Sequence, residues 1–392
     1  MQAITNTHLI TENGIISHAV LTIENGRIQQ AGRSEAVQLP PDAQITDAHG
    51  LYAAPGLIDI HNHGGPDDLY HENPQRCSGF FLTHGVTTVL PTFYCNLSLE
   101  ELLTGAEAVK AASKTGAARN IAGIYMEGPY MSGKGSNQKY IRWGGPILRE
   151  EYAPLIEALA GYVKVWAIDP AREGIESFMR DVKFKDPNAI FANGHSNATF
   201  AQCRQVRKLG VKVQTHFNDS GQAKGRAQGT AGAGCDHYSL HEPDLYAELI
   251  CDEVGIHVDA DLIKTLIRTK GVERIILISD HMADKGNYTN NAAAGIAYGP
   301  DLNYDYDGRL AGSHLTLDHA CRNLMSHTAY GLCHAIRMAS YNPACLLGID
   351  GEVGSLEPGK KANIILIDDK VNVHAVYLEG ELAAQDGKLL IT

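Results

Sequence analysis

With 392 residues, 44% hydrophobic and 20% charged, the chain has the composition of an ordinary globular protein and enough length for one large core plus a smaller satellite domain. A formal net charge of -12, a pI of about 5.8 and the lack of any basic run argue against a nucleic-acid partner or a membrane-surface partner. The eight cysteines are scattered with no Cys-x-x-Cys pair, the N-terminus has no leader-like apolar segment, and no apolar stretch approaches a membrane span, so the expected setting is cytoplasmic, with reduced thiols.

Residues 1–54 carry short alternating segments such as Ala19-Val20-Leu21-Thr22-Ile23-Glu24, closed by the turn Glu24-Asn25-Gly26. The next apolar run, Leu57 to His63, predicts a buried strand. Alternate strand residues share a face, so His61 and His63 point the same way, ahead of the turn Gly64-Gly65. A lone His-x-His is more often a satisfied pair than a ligand set, and the remainder of the chain decides its meaning.

Seven further β-rich runs, most followed by a helix-like segment, are predicted at Val86 to Phe93, Ile121 to Glu127, Val163 to Ile168, Ala189 to His195, Val211 to His216, Leu249 to His257 and Arg274 to Asp280. Eight strands alternating with helices predict an α/β fold, a (β/α)8 TIM barrel over residues 55–354. Its strand ends would then gather His61, His63, Glu127, His195, His216, His257 and Asp280 at one mouth. The Gly-rich stretch Gly221 to Gly234 lies between two predicted strands and reads as a loop over that mouth. Residues 355–392, with Ile364-Ile365-Leu366-Ile367 and Val376-Tyr377-Leu378, are expected to join residues 1–54 in a small β-sandwich domain, since neither flank can bury a core alone.

Neutral imidazoles and carboxylates at the ends of different strands are the donor set of a hydrolytic metal centre. Glu127, in Met126-Glu127-Gly128-Pro129, with His195 and His216 would supply three ligands and leave a fourth position open. Asp280, in Ile278-Ser279-Asp280-His281, would accept a proton from water and pass it to a leaving group; its bland alternative is a helix N-cap. His281, His319, His327 and His334 read as residues beside the ligands or on helix surfaces, and Asp67 to Glu72 as a solvated loop.

The order His-x-His, Glu-Gly-Pro, Gly-His-Ser, Thr-His, Gly-Ile-His-Val, Ser-Asp, Leu310-Ala311-Gly312-Ser313 and Gly354-Ser355-Leu356-Glu357-Pro358-Gly359-Lys360 resembles the amidohydrolase superfamily, and within it the N-acetylglucosamine-6-phosphate deacetylases, from Gly56 to Asn363. The resemblance implies hydrolysis of the N-acetyl amide of an amino sugar, N-acetylglucosamine-6-phosphate or a related N-acetylhexosamine phosphate. It implies a divalent metal, expected to be zinc, as one or two ions. Glu127, His195 and His216 would hold the first, His61 and His63 would complete a second site, and Asp280 would be general acid/base. It also implies a homodimer in which Arg226 and His257 meet the substrate phosphate in the neighbouring site.

Several departures bear on the substrate. The family's carbonyl-polarising His is missing from Gly133-Lys134-Gly135-Ser136-Asn137-Gln138-Lys139, leaving Asn137 or Gln138 as a neutral donor in its place. The phosphate-meeting Asn-Ala pair becomes Asn218-Asp219, whose carboxylate would repel a phosphate. His314 replaces a small polar residue after Ala-Gly-Ser. Two rival readings are therefore carried: an amidohydrolase for another N-acyl amine or cyclic amide, and a catalytically silent barrel serving as an interaction protein.

Overall fold

The computed structural model describes residues 1–133, 139–221, 229–230, 232–283, 299–305 and 307–391. Eight parallel strands pair in chain order: Leu57–Asn62, Val86–Tyr94, Ile124–Glu127, Val163–Ile168, Ile190–Asn193, Val211–Gln214, Tyr246–Ile250 and Ile275–Ile278. Almost every residue in them is buried, as parallel strands covered by helices require, and this explains their continuous Val/Ile/Leu runs. Local chemistry starts the returning helices. Leu99–Ala112 opens on a Ser98/Glu101 capping box, Phe200–Arg207 on a Thr199/Gln202 box, and Ala260–Lys270 on the Asp259 side chain.

The first and last strands close the barrel through bonds that include Asp280 N–H to His61 O at 2.9 Å, His63 N–H to His281 O at 2.9 Å, and the Ser279 hydroxyl to Asp59 Oδ2 at 2.6 Å. Asp59 also accepts from Asn62 Nδ2 at 2.9 Å, so a fully buried carboxylate clasps the seam directly beneath His61. At the opposite end, Ser340 Oγ donates to Gly56 O at 3.0 Å and Asn342 Nδ2 to Ile275 O at 2.7 Å, pinning the last helices across the barrel floor.

Both chain ends meet in one nine-stranded sheet. Gln2–Thr11, Gly14–Glu24, Arg27–Arg33, Gln44–Asp47 and Tyr52–Pro55 join Ile364–Ile367, Val373–Leu378, Glu381–Gln385 and Lys388–Leu389. The antiparallel register Ile364↔Pro55 to Ile367↔Tyr52 splices the two ends, over a separate small core that includes Leu9, Leu21, Ile28 and Leu366.

Three expectations are corrected. The seventh strand ends at Ile250 and does not reach His257: Asp252 accepts the backbone N–H of Ile256 at 2.9 Å and of His257 at 2.8 Å, folding the chain into a turn with Gly255 at φ 72°. The third strand starts at Ile124, because Ile121 caps the short helix Ala117–Asn120. The Asp67 to Glu72 segment is not simply solvated, since Tyr70 is buried and Arg76 pairs with Asp67 and Asp68. An additional hairpin, Leu302–Tyr304 with Leu310–Ser313, lies against the mouth through Ser313 N–H to Asp280 O at 2.8 Å. All eight cysteines are free thiols, and among the described residues no helix is long and apolar enough to cross a membrane.

Candidate metal centre

Strand geometry delivers the ligand-type residues to one place. His61 lies near the end of the first strand and His63 one residue past it, Glu127 closes the third, and His195, His216 and Asp280 each sit two residues past the fifth, sixth and eighth. Those last three have φ values of 38°, 22° and 48°, a region that costs a residue with a Cβ of the order of 1–3 kcal/mol. Such backbone turns the side chains across the mouth. Gly312 makes room for one of them: at φ 63°, a Cβ there would lie 2.8 Å from Asp280 O.

Glu127 is the hub. Its Oε1 lies 2.9 Å from His195 Nε2 and 3.3 Å from His216 Nε2, while its Oε2 lies 3.3 Å from His63 Nε2 and 3.7 Å from His61 Nε2. Asp280 Oδ1 completes the ring, 3.1 Å from His63 Nε2 and 3.5 Å from His61 Nε2. Three overlapping sets, His61/His63/Glu127, His61/His216/Asp280 and Glu127/His195/His216, each bring their ligand atoms within 4.8 Å of one another. Everything here is buried except His195, whose side chain is 12% exposed and marks the open side.

Burial alone would push Glu127 up, yet His195, His216, His61 and His63 outweigh it and hold the carboxyl well below its usual range. Burial likewise pulls His216 down, but Glu127, Asp219 and Asp280 raise it to about 9. A buried carboxylate this firmly anionic among imidazoles is an electrostatic well for positive charge, which protons or a divalent cation can fill. His61 Nε2 favours the cation: it is buried without a hydrogen bond, beside two carboxylates. The donor set fits a divalent metal with nitrogen and oxygen ligands.

Residues 52–383 match the amidohydrolase family. The chain belongs to that family, and is a hydrolytic enzyme. It is 28% identical over 393 residues to the N-acetylgalactosamine-6-phosphate deacetylase of Escherichia coli O157:H7, covering 96% of this chain and 97% of the relative. It is 29% identical over 383 residues to the N-acetylglucosamine-6-phosphate deacetylase of Vibrio furnissii, covering 95% and 89%. The solved N-acetylglucosamine-6-phosphate deacetylase of Pasteurella multocida shares the fold, with a TM-score of 0.85 over 98% of this chain and all of that one, at 24% identity.

Around this ring stand the other residues singled out from the sequence. Asp219 Oδ2 lies 3.8 Å from His216 Nδ1 with its side chain 31% exposed, and Asn218 precedes it at φ 68°. His257 is buried in a loop; Asp252 holds its Nδ1 at 3.1 Å, and its Nε2 faces Gly312 O at 3.3 Å. His314 stacks edge-on against His281 at 5.7 Å. His281 is buried between Phe80 and Phe81, where burial and the neighbouring His314 and His84 pull its pKa down to about 3, so it stays neutral. Asn137, Gln138 and Arg226 lie outside the described residues.

Sequence reasoning missed two buried acids at the site. Asp59 clasps the seam, and Glu248 on the seventh strand accepts from His61 Nδ1–H at 3.1 Å. The signal for Glu248 is a lone carboxylate in the apolar run Tyr246–Ile250, but a strand predicted to begin at Leu249 excludes it.

Proposed function

We propose that the protein hydrolyses the N-acetyl amide of a 6-phosphorylated amino sugar, N-acetylglucosamine-6-phosphate or its galactosamine counterpart, releasing acetate and the free amine. The observation that carries this reading is the shared carboxylate of Glu127, one oxygen toward His195 and His216 and the other toward His61 and His63, with Asp280 facing the second pair. Its support from relatives is the pair of deacetylases above, aligned with this chain over nearly its whole length.

In this reading Glu127, His195 and His216 hold a zinc ion, and His61 and His63 complete a second position with Glu127. A divalent ion there supplies Lewis acidity toward the amide carbonyl and makes water nucleophilic near neutral pH. Asp280 takes the proton of the attacking water and delivers it to the nitrogen as the C–N bond breaks. It is suited to start as a base. Burial raises its pKa, but His61 and His63 more than compensate and keep it below the ordinary aspartate value. Asn137 or Gln138 steadies the carbonyl oxygen, and Arg226 and His257 meet the phosphate across a cytoplasmic homodimer. Asn218 and His314 line the sugar. In this reading residues 1–54 and 355–392 form the supporting β-domain and 55–354 the catalytic barrel.

A second reading, an unphosphorylated N-acyl amine, is favoured by Asp219, a carboxylate beside His216 at the rim. Acetate release from N-acetylglucosamine-6-phosphate, N-acetylgalactosamine-6-phosphate, their unphosphorylated forms and N-acyl amino acids separates the two. A kcat/KM at least about tenfold higher for a phosphorylated sugar supports the first, since one charge-assisted phosphate contact contributes roughly 1.5–3 kcal/mol. Preference for an unphosphorylated amide overturns it, and turnover that survives complete removal of metal overturns the metal chemistry.

A further inference from the structure

We propose that Glu248 is a positioning residue that commits the His61/His63 side of the centre to a second divalent cation. Glu248 is fully buried on the seventh barrel strand. Its Oε2 lies 3.1 Å from His61 Nδ1, 3.3 Å from His216 N and 3.5 Å from the Tyr125 hydroxyl, which in turn bonds Thr215 Oγ1 at 2.8 Å. Its Oε1 has no hydrogen-bond partner among the described residues.

A carboxylate oxygen accepts, so Glu248 Oε2 holds the His61 ring through Nδ1–H. Nε2 is thereby turned toward Glu127 Oε2 at 3.7 Å and Asp280 Oδ1 at 3.5 Å, and makes no hydrogen bond among the described residues. The ring is thus oriented so that Nε2 is the nitrogen a cation would take, with a carboxylate behind it at Nδ1.

The other half of the centre is held differently. His216 Nδ1 meets only a neutral hydroxyl, Ser220 Oγ at 3.0 Å, with Asp219 farther off at 3.8 Å. The asymmetry assigns Glu248 to the His61 position.

This inference rests on the metalloenzyme reading, and one experiment separates their failures. Full-length protein is stripped with a chelator and titrated with Zn²⁺ against a chromophoric competitor, with circular dichroism recorded on each variant. Wild type is expected to take two ions per chain. Glu248→Leu, which lacks an acceptor, should weaken one of them by about 10–100-fold and leave the other unchanged. Glu248→Gln keeps a neutral acceptor and should weaken that ion by about tenfold; it decides the matter if the leucine variant does not fold. One ion in wild type, two ions held at wild-type affinity in both variants, or equal weakening of both ions would overturn the role of Glu248 while the metalloenzyme reading stands. No zinc bound by folded wild type would overturn the reading itself.

Discussion

Replacing Asp280 by Asn tests the chemistry most directly, because it changes one property and keeps the shape. The residue is 6% exposed, and the nearest ring nitrogens to its carboxylate are His63 Nε2 at 3.1 Å and His61 Nε2 at 3.5 Å. An amide fills the same volume but cannot carry a proton between water and the leaving nitrogen. Loss of such assistance costs about 10²–10⁴-fold, or about 2.7–5.5 kcal/mol in the barrier. The upper half of that range is expected here, because the adjacent His281, held neutral with a pKa of about 3, cannot supply a proton in its place. The assay is kcat/KM on the two acetylated hexosamine phosphates, with metal content measured on the same preparation. A drop of less than about tenfold at unchanged metal content would remove Asp280 from the proton path.

Three further outcomes are expected from the geometry. Gly312→Ala places a Cβ 2.8 Å from Asp280 O at a φ of 63°, so kcat should fall by about tenfold to a hundredfold with KM nearly unchanged; wild-type kcat would show that the backbone beside Asp280 tolerates displacement. Asp252→Asn should alter the pH dependence of thermal stability. Burial pulls His257 down, but Asp252 outweighs it and leaves the imidazole above 6.5, so its stabilisation is complete below that pH and fades as pH rises through the raised value. Burial raises Asp252, but His257 and two backbone N–H groups outweigh it and leave the carboxyl below 3.8, so its contribution is present above that pH and fades as pH falls through the lowered value. The Tm difference between wild type and variant should therefore peak between pH 3.8 and 6.5 and narrow on the alkaline side, and a flat difference from mildly acidic to alkaline pH would refute the pairing. Asp219→Ala should raise kcat/KM for a phosphorylated substrate by roughly twofold to fivefold, the effect of one partly solvated like charge, and leave an unphosphorylated analogue unchanged; equal effects on both would place Asp219 away from the phosphate.

The barrel is legible because parallel strands buried on both sides must be written as apolar runs, and seven of the eight predicted runs end within a few residues of the observed strands. His61, His63, Glu127, His195, His216 and Asp280 are legible for a related reason: each is a polar residue at the end of such a run, where a barrel leaves it no destination but the mouth. His257 misleads. It follows an apolar stretch, and only the Asp252 side chain, by accepting the Ile256 and His257 backbone N–H groups, breaks the strand after Ile250. Glu248 and Asp59 are illegible for the opposite reason, since they lie inside runs, where a charge reads as noise until its partner 187 or 220 residues away is seen.

The same division separates chemistry from selectivity. Residues that would hold metal and move protons stand at or within two residues of the barrel strand ends, and Asp280 N–H, His61 O and the Asp59 clasp tie down those at the seam. Residues that would meet the sugar and phosphate, Asn218, Asp219, His257 and His314, stand on loops beyond the strands. Loop positions can change without disturbing the seam, and this chain's departures from the deacetylase pattern at Asn218, Asp219 and His314 fall on such positions. A carboxylate at 219 alters which substrate approaches His216; it cannot alter how Glu127 divides its two oxygens between two pairs of imidazoles.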